Sequence, residues 1–298
     1  MGGEGRPGGR TRPGLRTASS AGRRAGVPPN AAIGLGLLAC VTAIALAAPA
    51  LVPAETLDPT RVTAPVNQPP SWAHWLGTDP SGRDVAGLLA WGARVSLLVG
   101  VASSVLAVVL GTSVGLAAGH ARGWLEAALL RVIDFFVVVP GLVLALALSA
   151  VLQPGVWTIV AAIGLTSWST LARVVRAQTM SIEARPSVER VRALGASGWH
   201  VLGRHVLPAL GPLVLAHANL AVGMAIIMES TLAFLGLSDP LAPSWGAMLR
   251  EASETGAATA GFWWFVLPPG LAIVAVVLAF TLVGRGFERS LTVGLGGR

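Results

Sequence analysis

The chain has 298 residues, 53% of them hydrophobic and 12% charged, with a mean hydropathy of +0.70 and a formal net charge of +7. Soluble domains are about 25% charged, so half that share points to a bilayer rather than to one or two water-exposed domains. Tyr and Lys are absent and all 21 basic residues are Arg, which excludes a P-loop lysine, a lysine Schiff base and a lysine general base.

Residues 1–30 are mostly Gly, Arg, Pro, Ser and Ala with little to bury, and are expected to form a disordered basic tail. Its six Arg can add weak anchorage to membrane lipid, about 1 kcal/mol per Arg close to anionic headgroups. Six stretches then meet the length of about 20 apolar residues that a helix needs to cross a hydrocarbon core. They run over 31–52, 95–119, 132–152, 156–176, 212–236 and 266–284. The first has 22 uncharged residues. Arg23-Arg24 and Ala48-Pro49-Ala50 imitate the flanks of a cleaved leader, but leaders have apolar runs of only about 7–15 residues. A retained span is therefore expected. It holds Cys40, the single cysteine, so neither an intrachain disulfide nor a four-cysteine metal site is available.

The segment 53–94 follows, with Gly77, Thr78, Asp79, Pro80, Ser81, Gly82, Arg83 and Asp84. Asp at i, Pro at i+1 and Gly at i+3 are the preferences of a type I turn, and a folded plug explains the segment as well as a ligand site does. In 95–119, Ala107, Gly111, Gly115 and Gly119 recur every four residues and make a flat stripe for close approach of another helix. The same stretch matches G-x-S-x-G at Gly111–Gly115, but that nucleophile elbow needs a strand-to-helix turn in a soluble sheet. Asp134 follows Arg131 by three residues and is expected to pair locally.

The loop 178–211 is the most informative stretch. Pro186 suits a first helical turn, and Gly195 and Gly198 break the helix. A second short helix is expected from about Trp199 to Pro208. Val188, Val191 and Leu194 fall at i, i+3 and i+6, an apolar edge that a short hairpin cannot bury alone and that a partner groove would cover. Glu229 lies within the fifth span, where a carboxylate costs roughly 2.5–3.5 kcal/mol. It is expected to face protein or water, either as a packed, hydrogen-bonded residue or on a path or subunit interface. Trp124, Trp157, Trp168, Trp263 and Trp264 stand near span ends, where indoles favour the membrane interface.

Charge orients the spans. The flanks 1–30, 120–131, 172–211 and the tail 285–298 carry net +5, +1, +4 and +2, and all fall on one side of a six-span layout. The opposite segments, 53–90 and 237–265, carry −2 each. Arg marks the cytoplasmic side, so both termini are expected there, and the high pI reflects topology rather than nucleic-acid binding. No H-E-x-x-H signature occurs, and the five His are spread over both sides. Catalytic, metal and cofactor sites are not expected in this chain.

Glu189, Gly195 six residues on, and His205-Val206-Leu207-Pro208 resemble the EAA loop of bacterial ABC importer permeases. The triplet Glu189-Arg190-Val191 departs from E-A-A at its second and third positions. Leu76 to Val85 is similar to the L-G-T-D-x-x-G-R-D-V segment of dipeptide, oligopeptide and nickel permeases. Phe234-Leu235-Gly236-Leu237 and Pro243-Ser244-Trp245-Gly246-Ala247-Met248-Leu249 resemble their S-F-L-G-L and P-S-W-G-x-M-L stretches. The resemblance covers about 30–290 and implies the C-type subunit of such an importer, an all-α polytopic membrane protein of the type I architecture in a bacterial inner membrane. It implies a homologous permease subunit, two ATP-binding subunits that carry ATP and magnesium, an extracytoplasmic solute-binding protein and a peptide substrate, with nickel as the alternative. It also implies that Val188, Glu189, Val191, Ala193, Leu194, Gly195, Ala196, His205, Leu207 and Pro208 form the ATPase-coupling loop.

Overall fold

The computed structural model describes residues 29–295 apart from 59, 63 and 241, with only the backbone described at 54 and 287–295. The basic tail lies outside these residues except for its last two positions. Among the described residues there is no strand, only one isolated bridge between Thr78 and Asp84.

Helix α1 (Pro29–Leu51) is the first apolar stretch. A plug of turns over 52–84 leads into α2 (Val85–His120), which starts ten residues earlier than its apolar run predicts. The early start has a local cause: the Asp84 carboxylate accepts the backbone N–H of Gly87 at 2.7 Å and caps the helix. At 36 residues, α2 is about 54 Å long.

The third and fourth stretches are each broken. Helices α3 (Trp124–Val138) and α4 (Gly141–Val151) meet at 89°. Pro140 lies between them, lacks an N–H and drives Val139 to an extended conformation. Helices α5 (Val156–Thr166) and α6 (Ser169–Glu183) meet at 40°. Among the described residues four helices are thus long and apolar enough to cross a membrane, and up to six spans result when each bent pair counts as one.

After α6 come α7 (Pro186–Ala193) and α8 (Gly198–Val201), then a wide π turn over Leu202–Val206 and α9 (Leu207–Phe234). The expected stop at Pro208 does not occur. A proline ring clashes with the carbonyl four residues back in a regular α-helix, and the wide turn just before it gives the room that lets the chain continue. Helix α10 (Trp245–Glu254) precedes α11 (Trp263–Leu295), which runs on past residue 284 as helix rather than ending in a separate tail.

The small-residue stripe of α2 is where α6 lies. A Cβ added at Gly111 or Gly115 would come within 2.7 Å of the Trp168 carbonyl oxygen or 2.6 Å of that of Ala172, and one at Gly119 within 2.7 Å of Thr179 Cβ. Two of the five span-end tryptophans depart from the interface expectation. Trp124, Trp157 and Trp263 are exposed, but Trp168 packs on Phe136 and Trp264 donates to the Thr78 carbonyl at 3.4 Å. Asp134 pairs with Arg173 at 2.8 Å rather than with Arg131, because α3 packs across α6 and brings that guanidinium closer.

Candidate functional site

Two regions hold the residues singled out in the sequence, at opposite ends of α2. At its N-terminal end the plug is tightly built. The Gly82 N–H donates to the Asp79 carbonyl at 3.0 Å, closing the expected turn, and Asp79 Oδ1 accepts the N–H groups of Ser81 and Arg83 at 2.8 Å each. Gly77 has φ +70, and a Cβ there would meet the Gln68 carbonyl oxygen. Thr78 and Asp79 are fully buried. The Arg83 guanidinium donates to Asp79 Oδ2 at 2.6 Å and to Glu251 Oε1 of α10 at 2.6 Å, bolting the plug to a helix 168 residues away in sequence. Asp84 also faces His74 Nδ1 at 3.1 Å. The side chains of Thr78, Asp79, Arg83, Asp84 and Glu251 all find partners within the chain, as a folded plug requires.

Burial pulls the Arg83 pKa down, but the carboxylates of Asp79 and Glu251 outweigh it and hold it above its usual value. Burial pushes Glu251 above the ordinary 4.5 in spite of Arg83. A carboxyl whose folded pKa is raised contributes stability that is complete at low pH and is lost as pH rises through that elevated value. Arg83→Met removes the opposing pull and leaves Asp79 buried without its partner, a loss of about 3 kcal/mol or more. Its melting temperature should fall below the wild type by a wider margin at about pH 8 than at about pH 5. An equal margin at both would show that the carboxylates do not depend on the guanidinium.

Near the same end, Glu229 is 1% exposed. It accepts hydroxyl protons from Ser96 of α2 at 3.0 Å, from Ser230 at 3.3 Å and from Ser244. The Ser244 oxygen at the same time caps α10 by accepting the Ala247 N–H. Glu229 therefore ties α2, α9 and α10 together within this chain.

At the other end of α2, the hairpin 186–206 holds the residues of the EAA-like loop. Pro186 occupies the first turn of α7, and Ser197 caps α8 by accepting the His200 N–H. Gly195, at φ +90, makes the turn between them, a conformation that side chains resist. The expected apolar edge divides. Val188 is 3% exposed and packs inward with Val175, Ile182, Val201 and Leu210. Val191 is half-buried, whereas Leu194 is 88% exposed because the helix has ended and the chain has turned. Glu189 and Ala193 are exposed, Ala196 is half-buried, and Glu189 makes no ion pair among the described residues. His205 is half-buried beside His200, with ring centroids 6.0 Å apart, and Leu207 and Pro208 are exposed.

Four residues of this end carry no motif and were not singled out. Trp199 is 86% exposed, and its signal was an indole directly after the Gly198 break. Glu183 joins Arg192 and His120, an arrangement that residues 63 positions apart do not announce. Among the described residues no group of three or more His, Cys, Asp or Glu is placed to hold a metal ion.

Comparison with known proteins is consistent along the chain. The sequence profile of the family described as "binding-protein-dependent transport system inner membrane component" matches residues 111–293. The glutathione transport system permease protein of Pectobacterium atrosepticum is 37% identical over 227 residues, 76% of this chain and 74% of the relative. A Brucella suis protein named as a candidate peptide permease is 39% identical over 224 residues, 75% of this chain and 74% of its own length. The glutathione transport system permease protein of an Escherichia coli strain is 36% identical over 227 residues, with the same 76% and 74% coverage. With an all-helical architecture, up to six membrane crossings and this likeness over three quarters of its length, the chain belongs to the binding-protein-dependent transport system inner membrane component family, the permease subunits of ABC importers.

Proposed function

We propose that this chain forms half of the translocation path of an ATP-driven peptide importer and receives its drive through the hairpin 186–208. The observation that carries the coupling role is the hairpin tip. Leu194 and Trp199, both more than four-fifths exposed, flank the Gly195 turn in sequence, and Glu189 makes no ion pair among the described residues. An apolar pair of that size, on a hairpin that has already buried Val188 in its own chain, is a surface made for a groove. The peptide substrate rests on the relatives, which are named for glutathione and for peptides.

In this reading the Arg-rich hairpin end is cytoplasmic, as are both termini, and the plug lies outside. A second permease completes the path, two ATP-binding subunits hold the hairpins and hydrolyse ATP with magnesium, and a solute-binding protein delivers peptide to the plug side. This chain makes and breaks no bond and holds no cofactor of its own. Closing of the ATPase pair on ATP displaces the tip. From Gly198 to Phe234 the chain is helical without a stop, a rod of about 55 Å that carries the displacement toward the far side. The importer then alternates between two arrangements whose balance is set by a ligand on a partner.

Two measurements test this. Leu194→Cys in a Cys40→Ser background should crosslink to an ATPase subunit in the assembled complex, and absence of any crosslink would remove the coupling role. In vesicles, labelled glutathione and tripeptides should enter only with ATP and the ATPase subunits. Uptake driven instead by an ion gradient would identify a secondary transporter.

A further inference from the structure

A tip that is pushed delivers work only if its base does not swivel. The covalent link from α6 to α7 is two residues, Ala184 and Arg185, and such a linker alone would let α7 swing. Three contacts prevent it. Arg192 Nη2, on α7, donates to Glu183 Oε2 at 2.6 Å, across nine residues of sequence. On its other side Glu183 Oε1 lies 2.7 Å from Nδ1 of His120, the last residue of α2. An ionised carboxylate only accepts, so the imidazole and the guanidinium both donate to it. The start of α8 closes the arrangement, because Gly198 sits so near that a Cβ there would be 2.5 Å from His120 Nε2.

Exposed ion pairs contribute little, but the Glu183 side chain is only 11% exposed, with Arg192 and His120 at 31% and 33%. The carboxylate is thus a covered hub whose two donors come from either side of the swivel. We propose that Glu183 is a positioning residue that locks the hairpin onto the body formed by α2 and α6, so that a push on the tip turns that body instead of flexing the linker. This rests on the reading of the hairpin as the point where the ATPase pulls, and it adds α2 to the elements that are driven.

The test uses the whole importer, with its second permease and ATPase subunits, in lipid nanodiscs. Spin labels are placed at Arg190→Cys, an exposed position on α7, and at Arg122→Cys just after α2, in a Cys40→Ser background. With Glu183 intact, the distance between the labels should be the same without nucleotide and after trapping with ATP and vanadate. In Glu183→Gln the distance should shift by about 2 Å or more on trapping, the scale of helix displacements in switching proteins. Arg192→Gln, which alters only the hairpin side, should do the same if Glu183→Gln fails to assemble, and the double variant should shift no further than either single one. A label distance that already changes with Glu183 intact, or one that stays fixed in both variants, overturns the proposal. The Leu194→Cys crosslink separates the two readings. If the crosslink forms while the Gln variants stay rigid, only the lock is wrong; if the crosslink is absent, the coupling role itself fails.

Discussion

Replacing Gly195 by Glu should reduce ATP-driven uptake by about a hundredfold or more while the chain still folds and inserts. Within the chain the space is free, since a Cβ at Gly195 meets nothing within 4 Å. The internal cost is that of holding a side chain at φ +90, about 1–2 kcal/mol. In the assembled importer the new carboxylate would sit between Leu194 and Trp199 and be stripped of water against a groove, which costs several kcal/mol when no partner charge is present. Each 1.4 kcal/mol is tenfold in a binding constant, so engagement of the hairpin should be lost. The measurement is uptake of labelled peptide in vesicles at equal levels of the assembled chain. Gly195→Ala, which carries the backbone strain without the charge, should keep most of it. Normal uptake by Gly195→Glu would mean that the turn enters no fitted surface.

Gly115→Leu is expected to act earlier, on the folded protein itself. The obstacle is the Ala172 carbonyl oxygen at 2.6 Å and Val175 Cβ at 2.7 Å, and a backbone atom cannot rotate aside. Helices α2 and α6 would have to part along a stripe that includes Gly111 and Gly119. Overpacking costs about 1–3 kcal/mol in tolerant cores, and native states are held by only about 5–15 kcal/mol in all. The amount of the chain in the membrane should drop several-fold and its melting temperature should fall. Gly36→Leu on α1 is the control, since a Cβ there meets nothing within 4 Å. Equal losses in both variants would show that hydrophobic bulk, not the α2–α6 approach, is responsible.

These two glycines differ in how visible their roles are. The spacing of Gly111, Gly115 and Gly119 announces a flat helix face, and α6 lies on it. Gly195 was legible as a break, though not that the break would aim Leu194 outward while Val188 turned in. Six apolar stretches emerged from length and hydropathy alone, and Pro140 was a sign of the bend in the third that a hydropathy reading passes over. The early start of α2 depended on Asp84 acting as a cap; a carboxylate directly after a turn can cap or pair locally, and the sequence alone does not say which. Least legible were the pairings across long separations. Arg83 finds Glu251 because the plug folds against α10, while His120 finds Glu183 and Asp134 finds Arg173 because helices cross there, and no periodicity in one segment encodes the direction of another. Trp264 was misplaced for the same reason: its partner is the carbonyl of Thr78, 186 residues away.

The wide turn at 202–206 has a consequence for angular phase. Successive residues of a regular helix advance by about 100° around its axis, so the residue added by one π turn offsets everything before it from everything after it. The azimuth at which Trp199 points is therefore decoupled from the face that α9 presents to its neighbours, and one residue more or less between Val201 and Leu207 would turn the indole by roughly a quarter of a revolution without touching the long rod beyond. A lineage that must fit a differently shaped motor could retune the angle of grip by a single insertion or deletion, leaving the conduit itself as it is.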